Sequence, residues 1–414
     1  FSSQGQTFVA LDERGRPLAP FIVWLDGRAR EIARRWEQQW LGRERYRRIC
    51  GYPWVPAELA LFKIAWLAEH RPKVHAAAHF LCLPDYMIWR LTGEMATDRA
   101  IAQQSGMYDV RAGEWSAELL GAAGINAGQL PAVHPPGTVV GGTRARAAAE
   151  LAVAPRVPVC LGCNDQLAGA IGAGNVRPGP VTETTGTSLA VIATTSQPLD
   201  DERMYVGPHA AGGMWHAMPF APASGIVLRW LRDLCRLDHY GDLLAGVERI
   251  PPGSEGLTVL PHVAGTASPT FNPEARGAMV GLTLGHGRAH LARAIMESCA
   301  CLLRELLGPL REHGIEPTGV RSLGGAARSD LWLQMKADML GLPVERPSCS
   351  SAASLGAAML AATGTGQFES VEQAADAWYR PGDVFEPDLA LRPAYDELYA
   401  RYLRLYRDLY AEPD

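Results

Sequence analysis

The segment VPVCLGCNDQLAGAIGAGNVRPGPVTETTGTSLAVIAT, residues Val157–Thr194, carries the pattern that decides the fold. Val157–Leu161 is a short apolar run typical of a buried strand, and a turn joins it to a helix of small residues that opens at Asp165. After a break rich in Pro and Gly, two runs of high β-propensity, Val181–Thr185 and Leu189–Ala193, predict a hairpin. A strand, a helix and a hairpin in this order indicate an α/β protein.

Two features of this segment suggest phosphoryl transfer. The carboxylate of Asp165 follows a predicted strand, and α/β sheets present their chemistry at strand ends. The tight Gly186-Thr187 turn offers backbone N–H groups and a hydroxyl, which are the donors that a phosphate needs. The alternative is structural: Asp165 would be a plain helix N-cap, and Gly186 would belong to an ordinary hairpin turn.

A second glycine-bearing strand end lies in the latter half of the chain. Val320–Leu323 predicts a strand that ends at Gly324-Gly325, and Ser329 caps the helix that follows. Bare backbone beside a helix N-terminus accepts a nucleotide without side chains in the way, although a glycine pair for close helix–strand packing is an equal alternative. The sequence contains neither a P-loop nor a Gly-x-Ser-x-Gly elbow, which disfavours those two enzyme classes.

Composition restricts the class of protein. The chain has 414 residues, 47% hydrophobic residues and a net charge of -5, which indicates a soluble globular protein and disfavours nucleic acid or an anionic membrane as the main partner. The longest weakly polar run, Ser351–Thr363, is too short to span a bilayer. No signal peptide is recognisable, so we expect a cytoplasmic protein. The break at Asn175–Pro180 predicts two domains, 1–177 and 178–414.

Other local patterns predict further elements and one further function class. Gln6–Leu11 and Phe21–Trp24 predict a hairpin, and the stretch from Asp26 to about Gly42 predicts a helix. Cys160 and Cys163 form a lone C-x-x-C, for which a redox or zinc role is the alternative to two small buried residues.

Taken together, many blocks of this sequence resemble the FGGY family of carbohydrate kinases, relatives of xylulokinase and glycerol kinase. The resemblance covers nearly the whole chain, in the family's order. It rests on SSQGQT at Ser2–Thr7, WLDGRA at Trp24–Ala29, LPDYMIWRLTGEMATD at Leu83–Asp98, GCNDQLAGAIGAG at Gly162–Gly174, TTGTS at Thr184–Ser188, SPTFNPEARGAMVGLT at Ser268–Thr283, LGGAARSDLWLQMKADMLGLPV at Leu323–Val344 and SLGAAMLA at Ser354–Ala361.

The resemblance implies an α/β, two-domain actin/hexokinase-like ATPase fold (ribonuclease H-like) with a cleft between a sugar-binding domain and a nucleotide-binding domain. It implies ATP and Mg²⁺ as cofactors and a small sugar or polyol as the other partner. Asp165 matches the catalytic base, which orients the attacking hydroxyl, and is the implied Mg²⁺ ligand. The implied substrate-binding residues are Gln6, Trp24 and Gln166, and the implied nucleotide-binding residues are Gly186, Thr187, Gly225, Gly325 and Ser329. Asp26 and Arg28 fit the family block either as substrate contacts or as an ion pair that holds the loop.

The sequence departs from the family at its start. Family members begin with a strand that carries Asp-x-Gly-Thr, whose turn holds ATP phosphates, and the printed sequence has no such block. We therefore expect a first domain that is N-terminally incomplete and a chain that, as printed, is poorly active.

The sugar is indicated only by Gly5-Gln6, which differs from the Met-His pair of xylulokinases and the Arg-Glu pair of glycerol kinases. A neutral amide with more room favours a ketopentose, a pentitol or a tetritol over glycerol, and a ketopentose such as xylulose is the expected substrate. Erythritol, ribulose and glycerol remain alternatives within the same class. A non-catalytic actin-fold protein that binds a sugar or nucleotide is the alternative from another class, and a homodimer is left open.

Overall fold

The computed structural model describes residues 1–410. Its helices, in chain order, are α1 Arg30–Trp36, α2 Arg43–Cys50, α3 Ala60–His70, α4 Pro72–His75, α5 Leu83–Thr92, α6 Arg99–Gln104, α7 Ala117–Ala122, α8 Ala145–Leu151, α9 Asp165–Gly172, α10 Gly225–Leu234, α11 Tyr240–Leu244, α12 Arg288–Glu312, α13 Asp330–Leu340, α14 Ala352–Gly364, α15 Val371–Trp378 and α16 Arg392–Tyr410. A π-helical segment, Glu37–Leu41, extends α1.

The strands are mostly short. In chain order they are β1 Ser2–Ser3, β2 Phe8–Leu11, β3 His79–Cys82, β4 Ala96–Asp98, β5 Tyr108–Asp109, β6 Glu114–Trp115, β7 Ala132–His134, β8 Val139–Gly142, β9 Pro158–Cys160, β10 Cys163–Asn164, β11 Val181–Thr185, β12 Leu189–Thr195, β13 Tyr205–Pro208, β14 Trp215–Met218, β15 Phe220–Ala221, β16 Thr258–Leu260, β17 Ala278–Val280, β18 Val320–Leu323, β19 Val344–Arg346 and β20 Asp383–Phe385.

The chain folds into two compact units. Unit 1 comprises residues 1–177, 194–216 and 351–379, and unit 2 comprises residues 178–193, 217–350 and 380–414, of which the structure describes those up to 410. Each unit is thus assembled from segments that are distant in sequence. The two sequence domains, 1–177 and 178–414, stay a prediction, because compact packing also draws two later segments into unit 1.

Unit 1 places Asp165 at the end of a parallel strand pair. β1 and β10 pair in parallel, with Ser3 opposite Asn164, and α9 begins directly after β10. The helix α9 then packs closely against α14 through glycine: a Cβ on Gly172 would clash with the carbonyl of Ala352, and one on Gly356 would clash with that of Ala168. The small residues of these two helices are therefore what allows their backbones to approach.

Two expected elements of unit 1 differ from the structure. The ladder partner of β2 is β3, with Phe8 opposite Cys82. The segment after the predicted turn also meets β2, through isolated antiparallel bridges between Phe8 and Ile22 and between Leu11 and Pro17, so the expected hairpin is present in part, without a second regular strand. β2, which is buried throughout, thus has a neighbour on both edges: β3 through a regular ladder and the expected arm through isolated bridges. The expected helix from Asp26 starts later, at Arg30, because the residues before it form a loop.

Unit 2 is built on a mixed sheet that confirms the hairpin expected after residue 180. β11 pairs antiparallel with β12 and parallel with β18, where Thr184 lies opposite Leu323. β18 in turn pairs in parallel with β19. Because β11 and β18 are parallel neighbours in register, both of their carboxyl ends lie at the same edge of the sheet. The Gly186 turn and the Gly324-Gly325 pair leave the sheet there.

Helices of unit 2 pack together around a hydrophobic core. α10, α12 and α13 contribute apolar side chains to it, among them Leu228, Ile295 and Trp332. Helix α13 has the predicted cap, since the Ser329 hydroxyl accepts a hydrogen bond from the Trp332 N–H at 3.3 Å, and it ends at Gly341, whose φ is +65°. In the described part of the chain, no helix is both long and apolar enough to cross a membrane.

Candidate functional site

The predicted catalytic base and substrate-binding residues lie in unit 1. Asn164 caps this helix, because its side-chain oxygen accepts a hydrogen bond from the Leu167 N–H at 2.9 Å. Asp165 is therefore the first helical residue and not the N-cap, so the capping alternative for Asp165 is wrong. Its side chain is exposed, yet desolvation by surrounding protein atoms raises the pKa of the carboxyl group, against the lowering effect of backbone N–H groups at Gln166 and Asp165.

Gln6 and Asp165 follow the two strands of the same parallel pair, β1 and β10. The loop that carries Gln6 follows β1, and parallel strands deliver their carboxyl ends to one edge. The Gln6 side-chain amide donates to Oε1 of Gln104 at 2.6 Å. The Gln104 side chain also fills the position that a Cβ on Gly5 would take. The expectation that Gly5 leaves free room is therefore wrong: glycine at this position admits Gln104.

The Trp24 side chain is partly exposed, and hydrogen bonds to its backbone fix its position. Its side chain is 41% exposed, its N–H donates to the Thr7 hydroxyl at 3.0 Å, and its carbonyl accepts from Lys63 Nζ at 3.0 Å. Lys63 also donates to the carbonyl of Val23 at 2.8 Å. Gln166, the remaining candidate on this side, is half-buried in the first turn of α9.

Asp26 and Arg28 form the ion pair that was one of their two expected roles. Their side chains approach to 2.6 Å, and the guanidinium lies 4.9 Å from the centre of the Trp66 ring. Hydrogen bonding to Arg28 lowers the pKa of Asp26. This pair ties down the loop that leads away from Trp24.

The residues predicted to bind the nucleotide lie in unit 2 and line one cavity of about 460 Å³. All five predicted nucleotide-binding residues contribute to its wall. The complete lining is Thr185, Gly186, Thr187, Gly225, Ile226, Leu228, Arg229, Tyr240, Leu244, Gly325, Ala326, Arg328, Ser329 and Trp332. The glycines of this wall are predictable from the sequence as strand-end and turn residues, whereas the apolar part was not predicted, although Ile226 and Leu228 belong to the apolar face of α10.

Backbone geometry makes this cavity suited to a nucleotide. A Cβ on Gly186 or Gly325 would meet no protein atom within 4 Å, so these residues leave open space. A Cβ on Gly225, by contrast, would lie 2.5 Å from the Gly186 carbonyl oxygen, so only glycine lets α10 start this close to the turn. The Ser224 N–H donates to the Thr187 carbonyl at 2.9 Å and fixes that approach. Open cradles of backbone at a helix start fit phosphate and ribose groups.

The charge of the lining also fits an anion. Arg229 and Arg328 are its charged residues, and it contains no acidic side chain. Apolar residues such as Leu244 and the rings of Tyr240 and Trp332 supply the remaining wall. A site of this kind has room for a flat base and attraction for phosphates.

Metal-binding and redox roles depend on clustered ligands and on reactive thiols. Among the described residues, no group of three or more His, Cys, Asp or Glu side chains could hold an ion. A lone carboxylate such as Asp165 fits Mg²⁺ that is bound mainly through nucleotide phosphates and water. Cys160 and Cys163 are buried thiols, and desolvation raises the pKa of both, which disfavours the thiolate form that metal binding and redox chemistry use.

Comparisons with known proteins now identify the class. The model of the N-terminal domain of FGGY carbohydrate kinases matches residues 1–172, and that of the C-terminal domain matches residues 182–365. A gluconokinase of Bacillus subtilis (strain 168) is 30% identical over 391 residues, 91% of this chain and 76% of the relative. A xylulose kinase of the same strain is 30% identical over 414 residues, 98% of this chain and 82% of the relative.

A solved structure agrees with these sequence matches. The crystal structure of xylulose kinase from Rhodospirillum rubrum superposes with a TM-score of 0.89 at 31% identity, covering 97% of this chain and 82% of that one. The fold is the two-domain α/β fold of the actin/hexokinase-like kinases. The chain belongs to the FGGY family of carbohydrate kinases, which are ATP-dependent phosphotransferases.

Proposed function

We propose that this chain transfers the γ-phosphoryl group of ATP to a hydroxyl group of a ketopentose such as xylulose, with Asp165 as the base. The observation that carries the proposal is the state of Asp165. Asn164 caps helix α9, so the carboxylate of Asp165 is not used as a cap. That carboxylate is exposed, has a raised pKa and lies at a strand end. A carboxylate of this kind can accept the proton of the attacking hydroxyl and orient its oxygen.

The remaining residues receive roles that follow from their chemistry. Gln6 and Gln166 offer amide groups to hydroxyls, and the exposed ring of Trp24 offers an apolar wall for the carbon chain. In unit 2, the backbone at Gly186, Thr187, Gly225 and Gly325 would hold the nucleotide, whereas the Ser329 hydroxyl already caps α13. Mg²⁺ would be held by ATP phosphates with Asp165 as the protein ligand, and when bound it neutralises phosphate charge.

Gluconate is the second candidate substrate, because the gluconokinase of Bacillus subtilis matches this chain at the same identity as the xylulose kinase. The neutral Gln6–Gln104 pair favours an uncharged sugar over a carboxylate, which prefers cationic partners. We expect the reaction to occur in the cytoplasm.

A substrate panel tests this proposal. The purified chain is incubated with Mg²⁺ and ATP, and ADP release is measured with xylulose, ribulose, gluconate, erythritol and glycerol. Xylulose giving the highest kcat/KM supports the proposal, and gluconate doing so replaces it with the second candidate.

Ligand binding distinguishes a slow kinase from a protein that only binds. ADP and xylulose binding are measured by calorimetry on the same preparation. Binding of both ligands with no turnover of any sugar in the panel would favour the non-catalytic alternative. Binding of neither would contradict the proposed site.

A further inference from the structure

A buried ionic network lies beneath the phosphate turn of unit 2. Glu183 on β11 and Lys336 on α13 are both completely buried, and Lys336 Nζ lies 2.5 Å from Oε1 of Glu183. Ser322 on β18, which is opposite Glu183 in the sheet register, donates its hydroxyl to the same carboxylate. Thr185 completes the group: its hydroxyl donates to Oε2 of Glu183 at 2.6 Å and accepts from Lys336 at 3.0 Å.

This network ends at the wall of the cavity. Thr185 is a lining residue and immediately precedes Gly186, so its two hydrogen bonds fix the last residue of β11 before the turn. Trp332 is a second lining residue, and its ring centre lies 5.7 Å from Lys336 Nζ. The indole N–H of Trp332 donates to the carbonyl of Met296 at 3.1 Å, which fixes its ring from the other side.

Stability alone does not explain a charge pair at this depth. Removing two charges from water costs several kcal/mol per ion, and apolar residues of similar volume are often as stable or more stable at such positions. The chain also uses lysine sparingly. Only three lysines occur among 39 basic residues, and two of them, Lys63 and Lys336, are completely buried. A compact ammonium group with three donors meets Glu183, Thr185 and Ser322 at once, which a planar guanidinium does not.

We propose that Glu183 and Lys336 are positioning residues for nucleotide binding, which hold the Thr185–Thr187 turn and the Trp332 ring in the geometry that receives ATP. Neither residue lines the cavity itself, so both act through Thr185 and Trp332. This inference rests on the proposed binding of ATP in the cavity of unit 2.

The test replaces the ion pair with apolar residues that preserve volume. We expect the double variant Glu183→Met with Lys336→Met to fold. Its KM for ATP and its Kd for ADP with Mg²⁺ should rise about tenfold, because a tenfold change corresponds to the loss of about one hydrogen bond. The KM for the sugar stays within about twofold of the wild-type value, since the change acts on unit 2 only.

The matched control is another buried ion pair of unit 2. Arg293 and Glu297 on α12 approach to 2.8 Å, have side chains that are 6% and 1% exposed, and do not line the cavity. The double variant Arg293→Met with Glu297→Met is expected to leave the Kd for ADP unchanged. If both double variants weaken ADP binding equally, the network has only a structural role and the inference is overturned.

A second variant keeps the inference testable if the Met pair does not fold. Thr185→Val retains shape and removes the hydroxyl while leaving Glu183 and Lys336 paired, and we expect the same selective loss of ADP affinity. An unchanged Kd for ADP in this variant overturns the inference. Failure of the wild-type chain to bind ADP would instead overturn the proposed function, and this inference with it.

Discussion

Lys63 donates a hydrogen bond from its completely buried ammonium group to the carbonyl oxygen of Trp24, at 3.0 Å. A second bond to the carbonyl of Val23 and the Thr7 bond to the Trp24 N–H hold the same loop. Lys63→Met removes both carbonyl contacts, so we expect the KM for the sugar to rise about tenfold with the KM for ATP unchanged. Steady-state kinetics with each substrate varied in turn measures this, and Lys73→Met, at an exposed position, is the control.

Lys63 also predicts a dependence of sugar binding on pH. Desolvation lowers the pKa of this lysine from 10.5 to about 8. Above that pH the amine loses its charge and its hydrogen bonds to the carbonyls weaken. The KM for the sugar is therefore expected to rise as pH increases through about 8, and Lys63→Met should lack this step. A wild-type KM that stays flat between pH 7 and pH 9, which are about one pKa unit on each side, would contradict the prediction.

Asp165→Asn tests the base. The amide keeps the shape but accepts no proton, so we expect kcat to fall by about 10²- to 10⁴-fold. ADP affinity should be retained, because the cavity residues belong to unit 2. The pKa of Asp165 is raised above 3.8, so this base becomes protonated at a higher pH than a free aspartate does. As pH decreases, the wild-type rate should therefore begin to fall before pH 3.8 is reached. The asparagine variant should show no such acid limb, and a limb that persists in it would assign the titration to another group.

Gly325→Leu tests the cavity by filling it. The φ of Gly325 is -67°, which any residue can adopt, and a Cβ there meets no protein atom within 4 Å. The added side chain should therefore leave the fold intact and raise the Kd for ADP about tenfold or more by occupying its space. Gly308→Leu on α12 is the matched control, because a Cβ there is equally unobstructed and lies outside the cavity lining. Equal ADP affinity in both variants would place the nucleotide elsewhere.

Glu305→Gln tests a half-buried carboxyl group on α12. Burial raises the pKa of Glu305 to about 7, against the lowering effect of the Tyr402 hydroxyl, which donates to it at 3.1 Å. The folded state thus holds a proton that the unfolded state loses near pH 4.5, so stability falls as pH rises from about 4.5 to about 7. Glutamine needs no such proton, and the variant should gain up to about 3 kcal/mol over wild type above pH 7.

The measurement for Glu305 is the urea midpoint of the transition of unit 2 at pH 5 and pH 8. The difference between Glu305→Gln and wild type should be larger at pH 8. Glu13→Gln, in an exposed turn, is the control and should show no such difference. An advantage for Glu305→Gln that is the same at both pH values would show that the carboxyl group does not titrate in this range.

Local signals in the sequence were sufficient for much of the fold. The hairpin of β11 and β12 and the start and end of α13 were predicted correctly, because turns and caps depend on residues within four positions of one another. The start of α1 was wrong because the loop before Arg30 is shaped by the Asp26–Arg28 ion pair and the contact with Trp66, which lies on a different helix.

The sequence by itself determined the family, the order of its blocks and the residues proposed to carry the chemistry, since these are set by residue type and spacing. Tertiary structure alone decided the partners: β3 beside β2, Gln104 against Gly5, and Lys336 against Glu183. Each of these pairs joins positions far apart in the chain, and no local pattern encodes them. Burial decides them, because a polar group or strand edge removed from water must find its hydrogen bonds wherever the packed chain offers them.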